Sequence, residues 1–237
     1  MEERFSVSIC FNLRSLTLYR VDGFFLQVIF KTIPKVNQIK DIRIENPYSL
    51  QSAMEVSYNG FLLQEYHLKL KSIVICSFYL TGNLYLVSNV PTIFFNLRRI
   101  ALEGFYWRAD ILEFLKNNTP NLQSLYIRTY ASTLYEPSLT KYVLKIFLGQ
   151  MFPSLQRLYI QWDTLQQCPL IDGFHSQNII QNSWPLMQKL TLDLKCAKIN
   201  EHFLNTFYQN KYWMSKKLIP TVWGPQYNSN PILRILF

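Results

Sequence analysis

Apolar residues along this chain recur in a six-residue pattern, L-x-x-L-x-L, that neither a plain amphipathic strand nor a helix produces. Seven copies occur: LRSLTL from Leu13, IKDIRI from Ile39, LKSIVI from Leu70, LRRIAL from Leu97, LQSLYI from Leu122, LQRLYI from Leu155 and MQKLTL from Met187. Their starts lie 25–33 residues apart. Pro120, Pro153 and Pro185 stand two residues ahead of the first apolar position in the last three. PILRILF, from Pro231, begins an eighth copy in the same way.

Each copy predicts a short strand whose fourth and sixth residues face a core and whose first closes the turn leading into it. One copy cannot bury that face alone, so neighbours stack into a continuous parallel sheet. Between the strands, DILEFLKNN, KYVLKIFLGQMF, HSQNIIQNSW and INEHFLNTFYQN carry helical spacing, with Asp110 as N-cap of the first. Pro34, Pro120, Pro153 and Pro185 end these helices, because proline cannot donate to the helical ladder and restricts the residue before it. Right-handed crossovers then place helices on one side of the sheet. The expected fold class is α/β, a curved repeat solenoid with parallel strands on a concave face and helices on the convex face. Residues 1–12 are the lead-in and 13–197 hold about seven repeats. Residues 198–237 form a C-terminal cap or irregular last repeat, with YWMSKKLIPTVW shielding the last apolar layer.

Odd positions of each strand project from the concave face. The fifth positions are Thr17, Arg43, Val74, Ala101, Tyr126, Tyr159 and Thr191. Tyr126 and Tyr159 are therefore expected to be neighbours, flanked by Arg128 and Arg157, with Arg99 one strand before and Trp162 at the strand exit. Tyr, Trp and Arg dominate binding hot spots, so these six residues are the candidate surface for a protein partner. The competing reading is that the tyrosines pack on each other to cover the sheet and Trp162 fills the edge of the core.

These repeats resemble those of leucine-rich repeat proteins. The irregular period, the F/P-x-L turns and the tyrosine-rich strands are similar to the repeat region of F-box/LRR proteins. The resemblance implies a protein-binding module that holds substrates for an SCF-type ubiquitin ligase. In that family an F-box docks a Skp adaptor. About ten residues precede the first repeat here, so a Skp contact is expected only with an F-box outside this chain. A stand-alone repeat scaffold is the alternative.

Charge changes this picture little. The chain carries 24 Lys and Arg against 15 Asp and Glu, net +9, but the basic residues are scattered and no basic run forms. The Glu and Asp in the seventh positions oppose a phosphate track, so nucleic acid is not the expected partner. The uncharged stretch Ser72–Phe95 is long enough to span a bilayer, yet Gly82, Asn83, Asn89 and Pro91 break it into a strand, a turn and a short helix. No membrane contact is expected.

Catalytic signatures are missing: no G-x-S-x-G, P-loop, G-x-G-x-x-G or H-E-x-x-H occurs. His67, His175 and His202 are isolated, and Glu45, Glu103 and Asp193 share a column on non-adjacent repeats. No enzyme activity, cofactor or metal is expected. Cys10, Cys76, Cys168 and Cys196 have no paired spacing, and the N-terminus has acids before its apolar run. Both features point to an intracellular protein of cytoplasm or nucleus. The sequon at Asn117 reads as a turn.

Overall fold

A computed structural model of the chain describes residues 14–20, 39–45, 69–76, 94–103, 115–129, 152–163, 172–195, 201–216, 221–223 and 232–236. Each of the seven repeats contributes a strand: β1 (Ser15–Tyr19), β2 (Asp41–Glu45), β3 (Ser72–Cys76), β4 (Arg99–Glu103), β5 (Ser124–Thr129), β6 (Arg157–Asp163) and β7 (Lys189–Lys195). They lie side by side in chain order, all parallel, with third position beside third and fifth beside fifth throughout. A one-residue slip between neighbours would turn a strand's apolar residues to the other face.

The even positions form the core. Leu125 and Leu158 are 1% and 2% exposed, and Ile42, Ile44, Ile100, Leu102, Ile127, Ile160 and Leu190 are buried as well. The first position of every repeat from Ile39 to Met187 is buried as well.

The backbone repeats as faithfully as the side chains. At every parallel interface the second-position carbonyl of one repeat accepts from the second and third N–H groups of the next. Gln123 O thus receives Gln156 N and Arg157 N at 2.9 Å each. Four repeats enter their strands by the same turn. The N–H of Leu97, Leu122, Leu155 and Met187 donates to the carbonyl three residues earlier, on Phe94, Thr119, Phe152 and Trp184. All four of those residues are buried. Pro120, Pro153 and Pro185 occupy the second place of this turn, where the fixed proline φ fits. Pro120 and Pro185 also follow the helical residues 115–118 and 173–183.

Helices lie where the spacing places them. The segment 115–118 is helical within DILEFLKNN. Thr119 closes that turn, its Oγ1 donating to Leu115 O at 2.5 Å; it is buried, while Asn117 of the sequon is exposed. Helix α1 (Gly173–Ser183) covers HSQNIIQNS, and α2 (Glu201–Tyr208) covers EHFLNTFY. A third helix, α3 (Lys211–Ser215), follows. Residues 141–151 and 77–93, which hold two further expected elements, lie outside the described residues, as do Pro34 and Asp110.

The expected eighth repeat is corrected. Strand β8 (Thr221–Trp223) lies at the outside of the sheet, and β9 (Ile232–Leu236) runs antiparallel between β7 and β8. Parallel and antiparallel strands share the same period-two pattern, so ILRIL carries no direction. β9 runs against both of its neighbours, β7 and β8. The nine-stranded sheet is thus parallel through β7 and antiparallel at its end.

Gly173, Asn210 and Trp213 tie the three helices together. Trp213, 1% exposed, donates from Nε1 to Gly173 O at 2.6 Å, and Gly173 N donates to Thr206 Oγ1 at 2.7 Å. Asn210 caps α3 by accepting from Tyr212 N, while its Nδ2 donates to Gln177 Oε1 at 2.8 Å. A Cβ on Gly173 would strike the backbone of Thr206.

Candidate functional site

The face opposite the apolar core carries the odd positions, and its centre is the fifth position of β5 and β6. Tyr126 and Tyr159 are direct register partners there. Their rings stack in parallel, with centroids 4.4 Å apart and planes 5° apart. Each ring is half-exposed. Val74 and Ala101, the fifth-position residues before them, are small and buried.

The seventh-position row runs along one side of this pair. Glu45, Cys76, Glu103, Arg128, Gln161 and Asp193 follow one another in register. Arg128 Nη1 donates to Glu103 Oε1 at 2.6 Å, and Arg43 pairs with Glu45. The Tyr159 hydroxyl lies 3.1 Å from Gln161 Oε1 and 3.1 Å from the buried Asp193 Oδ2; it donates to one at a time. Glu45, Glu103 and Asp193 thus each hold a partner from this row or from the fifth position. Cys76 stands between Glu45 and Glu103.

Burial is the main electrostatic influence. It raises the Tyr159 phenol above its ordinary value, and the negative charge of Asp193 adds to it. Burial followed by Glu103 does the same to Tyr126. The Cys76 thiol is pushed up to about 11, first by burial and then by Glu103. Each shift favours the neutral, protonated form of its group.

The third-position row, on the other side of the tyrosines, is different. Arg99, Ser124, Arg157 and Lys189 are consecutive in register. The three cations are exposed and have no ion-pair partner among the described residues.

Of the six residues expected to form the partner surface, Tyr126 and Tyr159 meet directly, and Arg99 and Arg157 line one side. Arg128 lies on the other side, engaged by Glu103. Trp162 is the register partner of Thr129 and Leu194, at the eighth position. That gives it the backbone parity of Leu158 and Ile160 rather than of Tyr159; its side chain lies outside the described ones. Sequence reasoning missed Gln161 and Asp193 as partners of Tyr159 and Glu103 as the partner of Arg128. The signal was there in the seventh positions of adjacent repeats.

Among the described residues, no group of three His, Cys, Asp or Glu stands close enough to hold a metal ion, and no helix is long and apolar enough to cross a membrane. Set against known proteins, the chain matches no family model, no curated protein and no solved structure.

Proposed function

We propose that the chain is a leucine-rich repeat solenoid and a protein-binding module, docking its partner on the odd-position face around Tyr126 and Tyr159. The single observation that carries this reading is the stacked, half-exposed tyrosine pair. Two large rings preorganised by each other, with Tyr159 held by Gln161 and Asp193, lose little freedom when a partner covers them. The repeating turn, the second-position carbonyl bonds and the strict register support the leucine-rich repeat reading. On the resemblance to F-box/LRR proteins, the bound protein is a substrate presented to an SCF-type ubiquitin ligase inside the cell.

The test is Tyr126→Ala combined with Tyr159→Ala, measured against a partner isolated with the chain as bait. The double variant weakens binding by at least ~2 kcal/mol while remaining folded. Tyr19→Ala, on an exposed residue of β1 at the far end of the sheet, leaves binding unchanged. Normal binding by the double variant would place the docking site elsewhere. Co-purification of a full-length product with a Skp adaptor tests the ligase clause separately.

A further inference from the structure

The charges on the odd-position face are sorted by row. Between β4 and β7 the third positions are Arg99, Ser124, Arg157 and Lys189, and the seventh positions are Glu103, Arg128, Gln161 and Asp193. The two rows are four residues apart along each strand, about 13 Å. One row holds three exposed cations. In the other, Glu103 and Arg128 neutralise each other and Asp193 accepts from Tyr159. The tyrosine stack lies between them.

The cationic row is unfavourable as it stands. Arg157 and Lys189 are direct register partners, and like charges opposite each other on neighbouring strands repel. Arg99 lies two strands away on the same row. Among the described residues no carboxylate compensates these three cations, and an anionic partner would relieve their repulsion.

We infer that the partner is an acidic peptide segment, bound across β4–β7 with its carboxylates on Arg99, Arg157 and Lys189 and an apolar or aromatic side chain on the Tyr126–Tyr159 stack. This rests on the docking reading above and names the partner's chemistry. The row spans three inter-strand steps, about 14 Å, which matches about five residues of extended chain. Such a segment reaches all three cations with carboxylates on one of its faces. Single-stranded nucleic acid also offers anions and stacking bases, but its phosphates recur along the whole backbone, whereas the cationic row is short and continues past Arg99 into Ser72 and the exposed Asp41. A short acidic segment keeps its charge on one row. The net charge of +9 favours the encounter in the same direction.

The experiment is selection of a random peptide library on the intact chain, followed by affinity measurement of a selected peptide at low salt. Enrichment of Asp and Glu around an aromatic or aliphatic residue is the expected result. Reversal of the row, with Arg99→Glu, Arg157→Glu and Lys189→Glu together, is expected to weaken the selected peptide about tenfold or more. An equal charge change at Arg14→Glu, Lys116→Glu and Lys211→Glu, on exposed residues away from the row, changes affinity less than about twofold. A labelled single-stranded oligonucleotide serves as competitor. Peptides that depend on Tyr126 and Tyr159 but are not acidic overturn the charge inference and leave the docking site standing. Peptides indifferent to both tyrosines overturn both. An oligonucleotide that displaces the acidic peptide and binds more tightly overturns it in favour of nucleic acid.

Discussion

Arg128 on β5 is held by Glu103 on β4, Nη1 to Oε1 at 2.6 Å, with side-chain exposures of 33% and 16%. The arginine nearest the tyrosine stack on that side is therefore already engaged by the chain's own carboxylate. A partner would have to compete with Glu103 for it, whereas Arg157 is open. Arg157→Ala is expected to weaken partner binding more than Arg128→Ala. A double-mutant cycle on Glu103→Gln and Arg128→Met should return a coupling of about 0.2–1 kcal/mol in stability, the range for ion pairs still open to solvent. Denaturant melts of the four proteins measure it.

Leu158→Ala is expected to destabilise the chain by about 2–5 kcal/mol. The residue is 2% exposed and stands between Leu125 and Leu190 in register, so truncation leaves a cavity in the middle of the sheet. Neighbouring repeats should lose hydrogen-exchange protection together, because stability in stacked units passes mainly between neighbours. A change under about 1 kcal/mol in urea melts would mean the site collapses without cost, against its enclosure.

Gly173→Ala is a sharper test of how the helices are joined. The new methyl would strike the Thr206 backbone, which cannot rotate away, so α1 and α2 must separate. A loss of about 1–3 kcal/mol is expected. The Trp213 Nε1 bond to Gly173 O should loosen with it, read as a red shift in tryptophan emission relative to the native protein.

High pH should destabilise the protein through its tyrosines. Burial, then Asp193, raises the Tyr159 phenol above its ordinary value of 10.0. The folded state therefore binds this proton more tightly than the unfolded chain. Its contribution is fully present below about pH 10 and is lost as pH climbs toward the raised folded-state value. Tyr159→Phe removes that loss. Thermal midpoints measured between about pH 9 and pH 11 should fall less steeply for the variant than for the native chain. Parallel curves would place the alkaline transition on other groups.

Strand location, register and the apolar face were legible in the order of residues. Leu158, Ile160 and their equivalents announce a period of two within each strand, and the 25–33 residue recurrence announces stacking. Equal units stacked in parallel meet position to position here, and the contact of Tyr126 with Tyr159 was expected from counting. Helices α1 and α2 followed from apolar spacing and the turn at Pro185.

The partners of individual polar groups were decided in space. Glu103 and Arg128 are 25 residues apart in the chain, and Tyr159 and Asp193 are 34 apart. No local preference links residues at such separations; they meet because neighbouring strands lie about 4.8 Å apart, and rotamers then choose among several acceptors. Trp162 belongs by parity with the core positions of its strand, a consequence of β6 extending beyond the six-residue pattern. The reversal of β9 appears only in the tertiary structure, since a period of two is the same in either direction.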